Sequence, residues 1–295
     1  MEKSDWQNRN LDSYLFNYEY LIFWALAFTG LAVAAILLRR CKRETVHKVL
    51  ICIWAFALFY DVAKWIISWS ATAMFEQEFS MFAGLPLHTC SSYWYIAPLA
   101  LFVKNKKLKR ALCNYQCTIL LWGGLMGMLL CVAMMQCYSF TSYYGSQIQI
   151  YHLMILATSV IMLSTGYYKP KKYDFLLGFA VFAVIAFPVF VFNNIFETDY
   201  MYTYDQSALY IFSFIADNLP HRILWTLIAV AGYLGLTAIF TFGVIGIKML
   251  YCKVKGVAYE EPSDGESSDS SDGVKPACNI EKERFYEELW AYPEN

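Results

Sequence analysis

The chain has 295 residues, of which 58% are hydrophobic, 18% aromatic and only 16% charged. A globular domain carries roughly 45–50% apolar and about 25% charged residues, so this composition excludes a soluble enzyme, a nucleic-acid binder and a secreted disulfide scaffold. The net charge of -1 hides an asymmetry: residues 256–295 hold eleven of the 24 acidic residues and three of the 23 basic ones, which leaves the rest strongly basic.

A hydrocarbon core of about 30 Å takes about 20 mostly apolar residues to cross. Residues 1–17, opening MEKSDWQNRNLD, are polar and read as an extracytoplasmic N-terminus. The first predicted span, 18–38, is followed by RRCKR. A secretory signal peptide puts its positive charges first, so this helix is expected to be retained. The second span, 50–71, carries Asp61 and Lys64 three residues apart, hence on one helical face. The third, 85–103, opens with LPLHTCSSYWY and contains Pro98; the fourth, 111–137, contains Gly123-x-x-x-Gly127, spacing that lets a neighbouring helix approach closely. The fifth, 147–167, carries His152. The sixth, 175–194, contains Pro188 and ends in Asn193 and Asn194, and the seventh, 221–251, opens with His221 and Arg222. Pro98 and Pro188 each remove a backbone hydrogen bond and mark expected kinks.

The tail, 256–295, contains EEPSDGESSDSSDG, nearly devoid of apolar residues, and is expected to be disordered and cytoplasmic. Its last part, IEKERFYEELWAY, reads either as a short amphipathic helix at a membrane or partner surface or as solvated tail.

Loop charge sets the orientation. Arg39, Arg40, Lys42, Arg43, Lys48, Lys104, Lys106, Lys107, Lys109, Arg110, Lys169, Lys171, Lys172, Lys248, Lys253 and Lys255 all fall on one side, against Lys3, Arg9 and Arg222 on the other. Cytoplasmic loops collect Lys and Arg, so the expected fold is all-α: a polytopic, multi-pass protein of the cell membrane with seven transmembrane helices over 18–255, N-terminus outside and C-terminus inside.

An ionisable group inside a bilayer is costly and asks for a reason. Here such groups gather in the outer half: His88 with Thr89, Cys90, Ser91 and Ser92 on span three, His152 on span five, His221 on span seven, Asn193 and Asn194 on span six, and Asp61 with Lys64 on span two. The inner half shows no comparable gathering. The convergence predicts a polar cavity, open to the outside or the outer leaflet, of the kind that binds a small molecule. Each member also has a plainer reading. Asp61 and Lys64 would neutralise each other inside the bundle, His152 would serve as a hydrogen-bonded core histidine, and the Ser and Thr near His88 would bond their own helix. The set permits acyl transfer or hydrolysis: a Cys or Thr nucleophile, a His base near neutral pH, and Asn193, Asn194 or Lys64 as donors to the tetrahedral intermediate. Cys90 and His88 are two residues apart and diverge on a helix, which favours His152 as the base for Cys90.

Nine cysteines are scattered without Cys-x-x-Cys or zinc spacing, so no metal site and no cofactor is predicted. Cys90 and Cys137 lie near the oxidising side, and a disulfide between them stays open.

LPLHTCS at the start of span three resembles the hallmark of the YwaF-like integral membrane proteins of bacteria. His152 fits that pattern, as does DYMYTYDQSALYIFSFIADNLPHRIL before the last span. The family is similar to the eukaryotic transmembrane acyltransferases of ether phospholipids and, more distantly, to membrane hydrolases of fatty-acid esters. The resemblance implies a Cys or Thr nucleophile with a His inside the membrane, His88 matching the motif His and His152 the second. In the acyltransferase branch a Cys directly precedes the His. This chain carries Leu87 there and offers Cys90, then Thr89, instead.

The expected function is therefore a membrane-embedded acyltransferase or lipid hydrolase, with His152 as base, Cys90 or Thr89 as nucleophile, His88 orienting, and Asp61, Lys64, Asn193, Asn194 and His221 lining the substrate site. Membrane lipids are the expected partners, nucleic acid is not, and the tail's partner is unassigned. A transporter or sensor of a small polar solute is the alternative. A third reading, His88 and His152 as axial ligands of a haem, rests only on their similar depth.

Overall fold

A computed structural model describes residues 18–75, 85–134, 143–196, 198, 200–202, 222–254, 256 and 258–259, and all regular structure among them is helical. Helix α1 is Tyr18–Leu38, with the bounds that the apolar pattern predicts. Helix α2, Arg43–Phe75, begins earlier than its apolar run because Arg43, Glu44 and Lys48, polar though they are, are good helix formers. A short 3-10 turn, Cys90–Ser92, leads into α3, Tyr93–Phe102. Helix α4, Lys106–Tyr115, passes through a π turn at Gln116–Leu120 into α5, Leu121–Met134, so that the three form one rod. Then follow α6, Tyr143–Ser164, α7, Asp174–Phe196, and α8, Arg222–Val254. With α4 and α5 taken together there are seven helical rods among the described residues.

Five of them are long and apolar enough to cross a membrane: α1, α2, α6, α7 and α8. The third expected span is shorter than predicted. Pro86 disfavours the helical region for Leu85 and brings no N–H of its own, and the chain makes a tight turn in which the Leu87 amide donates to the Leu85 carbonyl at 2.8 Å. Regular α-helix starts only at Tyr93, and ten residues rise about 15 Å. Pro98 and Pro188 lie inside α3 and α7, and both helices run on past them.

Helix α6 is the hub. It packs on α5, α2 and α1, while α7 packs on α4 and α8. The outward faces of α1, α2, α7 and α8 expose Leu26, Phe59, Val184, Phe187, Ile239 and Ile247, side chains that water would penalise and acyl chains would not. Lipid is as apolar as these residues, so what joins the rods is close packing and polar contact. Gly124 lets the backbones of α5 and α6 meet, since a Cβ there would sit 2.9 Å from the Leu156 nitrogen. Gly178 does the same for α7 against α4, where a side chain would overlap the Asn114 carboxamide.

The basic half of the bundle corrects the expectation that polar groups gather only in the other half. Asn114, Gln116, Thr118, Thr158, Ser159, Thr237 and Thr241 are all buried there. Short hydroxyls and amides on apolar helices carry no charge for a sequence scan to catch, yet each makes a hydrogen bond, Thr118 and Thr237 to a carbonyl of their own helix. The Asn114 amide donates to Tyr168 Oη at 3.0 Å and Thr241 Oγ1 at 3.1 Å, and the Gln116 amide donates to Ser159 Oγ at 3.0 Å. At the rim, Arg110 grips Asp174 through Nε and a terminal nitrogen, both at 2.6 Å. The same carboxylate accepts from the Tyr168 hydroxyl and the Lys171 amide, each at 2.8 Å.

Candidate functional site

His152 lies midway along α6, where a carbonyl fixes its tautomer. Nδ1 is 2.8 Å from the Ile148 carbonyl oxygen, which can only accept, so Nδ1 carries the proton and the lone pair sits on Nε2. The ring fills the space that a side chain at Gly127 would occupy on α5. One helical turn earlier, Gly123 faces the Cys90 thiol, and a Cβ there would lie 3.1 Å from Sγ. Positions four apart on a helix have Cβ sites about 5–6 Å from each other, so thiol and imidazole press on one glycine stripe of α5 a single turn apart. The spacing read from the sequence as a helix-approach motif thus receives two candidate reactive groups.

The Cys90 turn is held by phenols that sequence reasoning missed. Tyr151 on α6 donates to the Cys90 carbonyl at 3.3 Å. The Thr89 hydroxyl pairs with Tyr233 of α8 at 3.0 Å. Ser92 donates to the Thr89 carbonyl at 2.6 Å and pairs with the Tyr115 hydroxyl at 2.9 Å. Tyr233 is itself stacked on Phe182, with ring centroids 4.1 Å apart. A chain with 23 tyrosines gives no local signal for these particular ones; only the helix packing selects them.

Asp61 and Lys64 sit beside this site. Asp61 is 5% exposed and accepts from the Trp94 indole at 2.8 Å and the Gln147 amide at 2.7 Å, while Lys64 pairs with it at 3.2 Å. The plainer reading, mutual neutralisation, describes their geometry. Lys64 nevertheless keeps about a third of its side chain accessible.

His88 packs edge-on against the Tyr200 ring at 4.9 Å. Tyr200 is clipped in turn by Asn193. The Asn193 amide donates to the Tyr200 carbonyl at 2.7 Å, and its oxygen accepts from the Tyr200 amide at 3.1 Å and the Thr198 hydroxyl at 2.9 Å. The Tyr200 hydroxyl accepts the Leu85 amide at 3.2 Å, which ties the clip back to the turn before His88. Met201, buried in this turn, has φ 57°, a left-handed conformation unusual for a non-glycine residue. Asn193→Ala is expected to cost about 1–3 kcal/mol, because the Tyr200 backbone groups lose their partners. Thermal unfolding in detergent, compared with Asn194→Ala, measures it; equal melting temperatures would show the clip to be dispensable.

The structure therefore brings His88, Thr89, Cys90, His152, Asp61 and Lys64 to one region. Asn193 stands behind them as a brace, its oxygen and amide both engaged with the 198–200 segment. Asn194 is exposed and bonds the Phe190 carbonyl of its own helix at 2.6 Å, turned outward from the group. His221 and Cys137 lie outside the described residues, and with Cys137 the pairing to Cys90. Among the described residues no three His, Cys, Asp or Glu side chains gather into a metal-binding group.

A bundle of long apolar rods with lipid-suited outer faces and a polar cluster within is a membrane protein. A model of the TMEM164 family, a family of membrane proteins, matches residues 14–245. The chain belongs to that family; the match takes in α1 to α7 and most of α8, and leaves the acidic tail outside. No curated protein and no solved structure matches the chain.

Proposed function

We propose that this protein is a membrane-embedded acyltransferase or lipid hydrolase with Cys90 as nucleophile and His152 as general base, akin to the YwaF-like proteins and the ether-phospholipid acyltransferases. It sits in the cell membrane with seven spans, its N-terminus outside and its tail inside, and its substrates are membrane lipids. The observation that supports this reading most is the seating of thiol and imidazole on the Gly123–Gly127 stripe, with Nδ1 of His152 anchored so that Nε2 is the basic nitrogen.

In this mechanism Nε2 takes the Cys90 proton as sulfur attacks the carbonyl carbon of a lipid ester. The intermediate collapses, the ester C–O bond breaks, and His152 returns the proton to the departing alkoxide. The acyl chain is then a thioester on Cys90. An incoming lipid hydroxyl, or water in the hydrolase case, gives its proton to His152 and attacks that thioester, restoring the thiol. Thr89, held by Tyr233, is the second nucleophile choice. His88 and Tyr200 shape the approach, and Lys64 is the cation offered to the developing oxyanion.

The test follows acyl chains by mass spectrometry after the purified protein meets phospholipids, lysolipids and fatty-acid esters. Parent protein is expected to move or release acyl groups; His152→Ala is expected to lose about 10²–10⁴ of the rate, and Cys90→Ala all thioester formation. Activity that survives Cys90→Ala but not Thr89→Ala moves the nucleophile to Thr89. If none of the proteins alters any lipid, the enzyme reading fails. The Asp61–Lys64 pair, with its carboxylate buried and its ammonium partly accessible, then favours the second reading, a transporter or sensor binding a small polar solute.

A further inference from the structure

A second cluster lies at the other end of the bundle, and the mechanism above does not use it. Tyr167, just past α6, is buried, and two cations face its ring: Arg43 with its guanidinium carbon 4.4 Å from the ring centroid, and Lys109 with its ammonium at 6.0 Å. His47 Nδ1 is 2.9 Å from the Tyr167 hydroxyl. Arg43 also donates to the Tyr167 carbonyl at 3.3 Å, and Arg39 donates to the Ser164 carbonyl at 3.0 Å. These bonds fix the guanidinium groups but do not neutralise them.

Among the described residues no carboxylate forms an ion pair with Arg39, Arg43 or Lys109. Asp174 is engaged by Arg110, and Glu44 is exposed and pairs with none of them. The α2 and α4 helices also start here, so their positive dipole ends reinforce the same field. Two like charges held over one buried ring, beside apolar helices where screening is weak, favour an anion beside them. Phe102 indicates which anion: it is 57% exposed and meets the His47 ring edge-on at 5.9 Å, an apolar surface directly beside the cations. A ligand that satisfies both features carries phosphate at one end and acyl chain at the other.

We propose that Arg43 and Lys109, with His47 and Phe102 beside them, bind the phosphate headgroup of an anionic membrane lipid at the basic end of the bundle, away from the candidate acyl-transfer site. The proposal stands independently of the enzyme reading, since it uses none of that site's residues.

The full chain, purified in detergent, would be exposed to phosphatidylcholine, phosphatidylserine and phosphatidylinositol 4,5-bisphosphate, and retained lipid would be counted by native mass spectrometry. Parent protein is expected to retain the anionic lipids over phosphatidylcholine. Lys109→Gln, which breaks no backbone contact, is expected to weaken retention about fivefold, and adding Arg43→Gln to weaken it about thirtyfold. Lys104→Gln/Lys107→Gln, removing two exposed cations of the same face, is the control. Equal losses in the control would reduce the site to diffuse surface charge and overturn the proposal, as would undiminished retention in the Arg43/Lys109 variant. Should Arg43→Gln impair folding, Lys109→Gln alone, judged at unchanged melting temperature, decides the matter. Soluble inositol trisphosphate is expected to compete weakly. If it binds as tightly as the lipid, the ligand is a free phosphate and the lipid assignment falls.

Discussion

Gly127→Ala is expected to abolish acyl transfer while adding only one methyl group. That methyl would overlap the His152 ring, and the ring cannot swing away cheaply because Nδ1 is bound to the Ile148 carbonyl. Overfilling a well-packed interior costs about 1–3 kcal/mol, and here the strain falls on the proposed base. The expected result is therefore twofold: a melting temperature lower by several degrees, and acyl transfer reduced as far as in His152→Ala. Gly30→Ala is the matching control, since a Cβ at Gly30 meets no atom within 4 Å, and it is expected to leave both quantities unchanged. A Gly127→Ala protein that melts lower yet transfers acyl chains normally would remove His152 from the chemistry and leave it a packing residue.

The largest effect on stability is expected from Asp174→Ala. Four donors converge on that carboxylate, two from Arg110, one from Tyr168 and one from the Lys171 amide. Burial and the adjacent carboxylate push the Tyr168 phenol well above its ordinary range, so it remains a donor across the working pH range. Removing the acceptor strands a guanidinium that is only about a quarter exposed, a change that typically costs 3–5 kcal/mol when the charge is fully buried. Partial solvation of Arg110 brings the expected loss to about 3 kcal/mol. Arg110→Ala should cost less, because Asp174 keeps Tyr168 and the Lys171 amide. Thermal unfolding of the two variants beside the parent checks this order; the reverse order would mean that the carboxylate is held mainly for Arg110's sake.

Charge and apolar run length made the membrane bundle legible. Helix α1 falls on its predicted bounds because a polar head and a basic quartet punctuate it sharply. The third span was misread because hydropathy sums over Leu85, Pro86 and Leu87 without registering that Pro86 delays the helix. Charge inside a span singles out His88, His152, Asp61 and Lys64 as candidates, since a bilayer makes each of them conspicuous. The same reasoning overreached at Asn194, where an amide bonded to its own helix is tolerated at the outer surface. It passed over Tyr115, Tyr151 and Tyr233, whose hydroxyls hold the Cys90 turn, because tyrosine is at home at any depth and declares no partner. It also passed over the Asn114 and Gln116 layer, where neutral amides leave no trace in a charge count. The glycine pair was noticed, but its tenants could only be known once α5, α6 and the Cys90 turn were placed together.

The wide turn at Gln116–Leu120 has a bearing on this arrangement. Its mark is the Leu121 amide, which donates to the Gln116 carbonyl five residues back, where a regular helix would reach back four. The extra residue acts as a phase shifter in the rod. Each residue of an α-helix advances about 100° around the axis, so α5 is rotated by that amount relative to a straight continuation of α4. The rod thus keeps two independent azimuths. Its first part turns Asn114 toward α8 and leaves room for Gly178 of α7, while its second part aims Gly123 and Gly127 at the thiol and the imidazole. Without the inserted residue, one stretch of helix could satisfy one set of neighbours but not both, and the basic rim and the histidine site would compete for a single orientation.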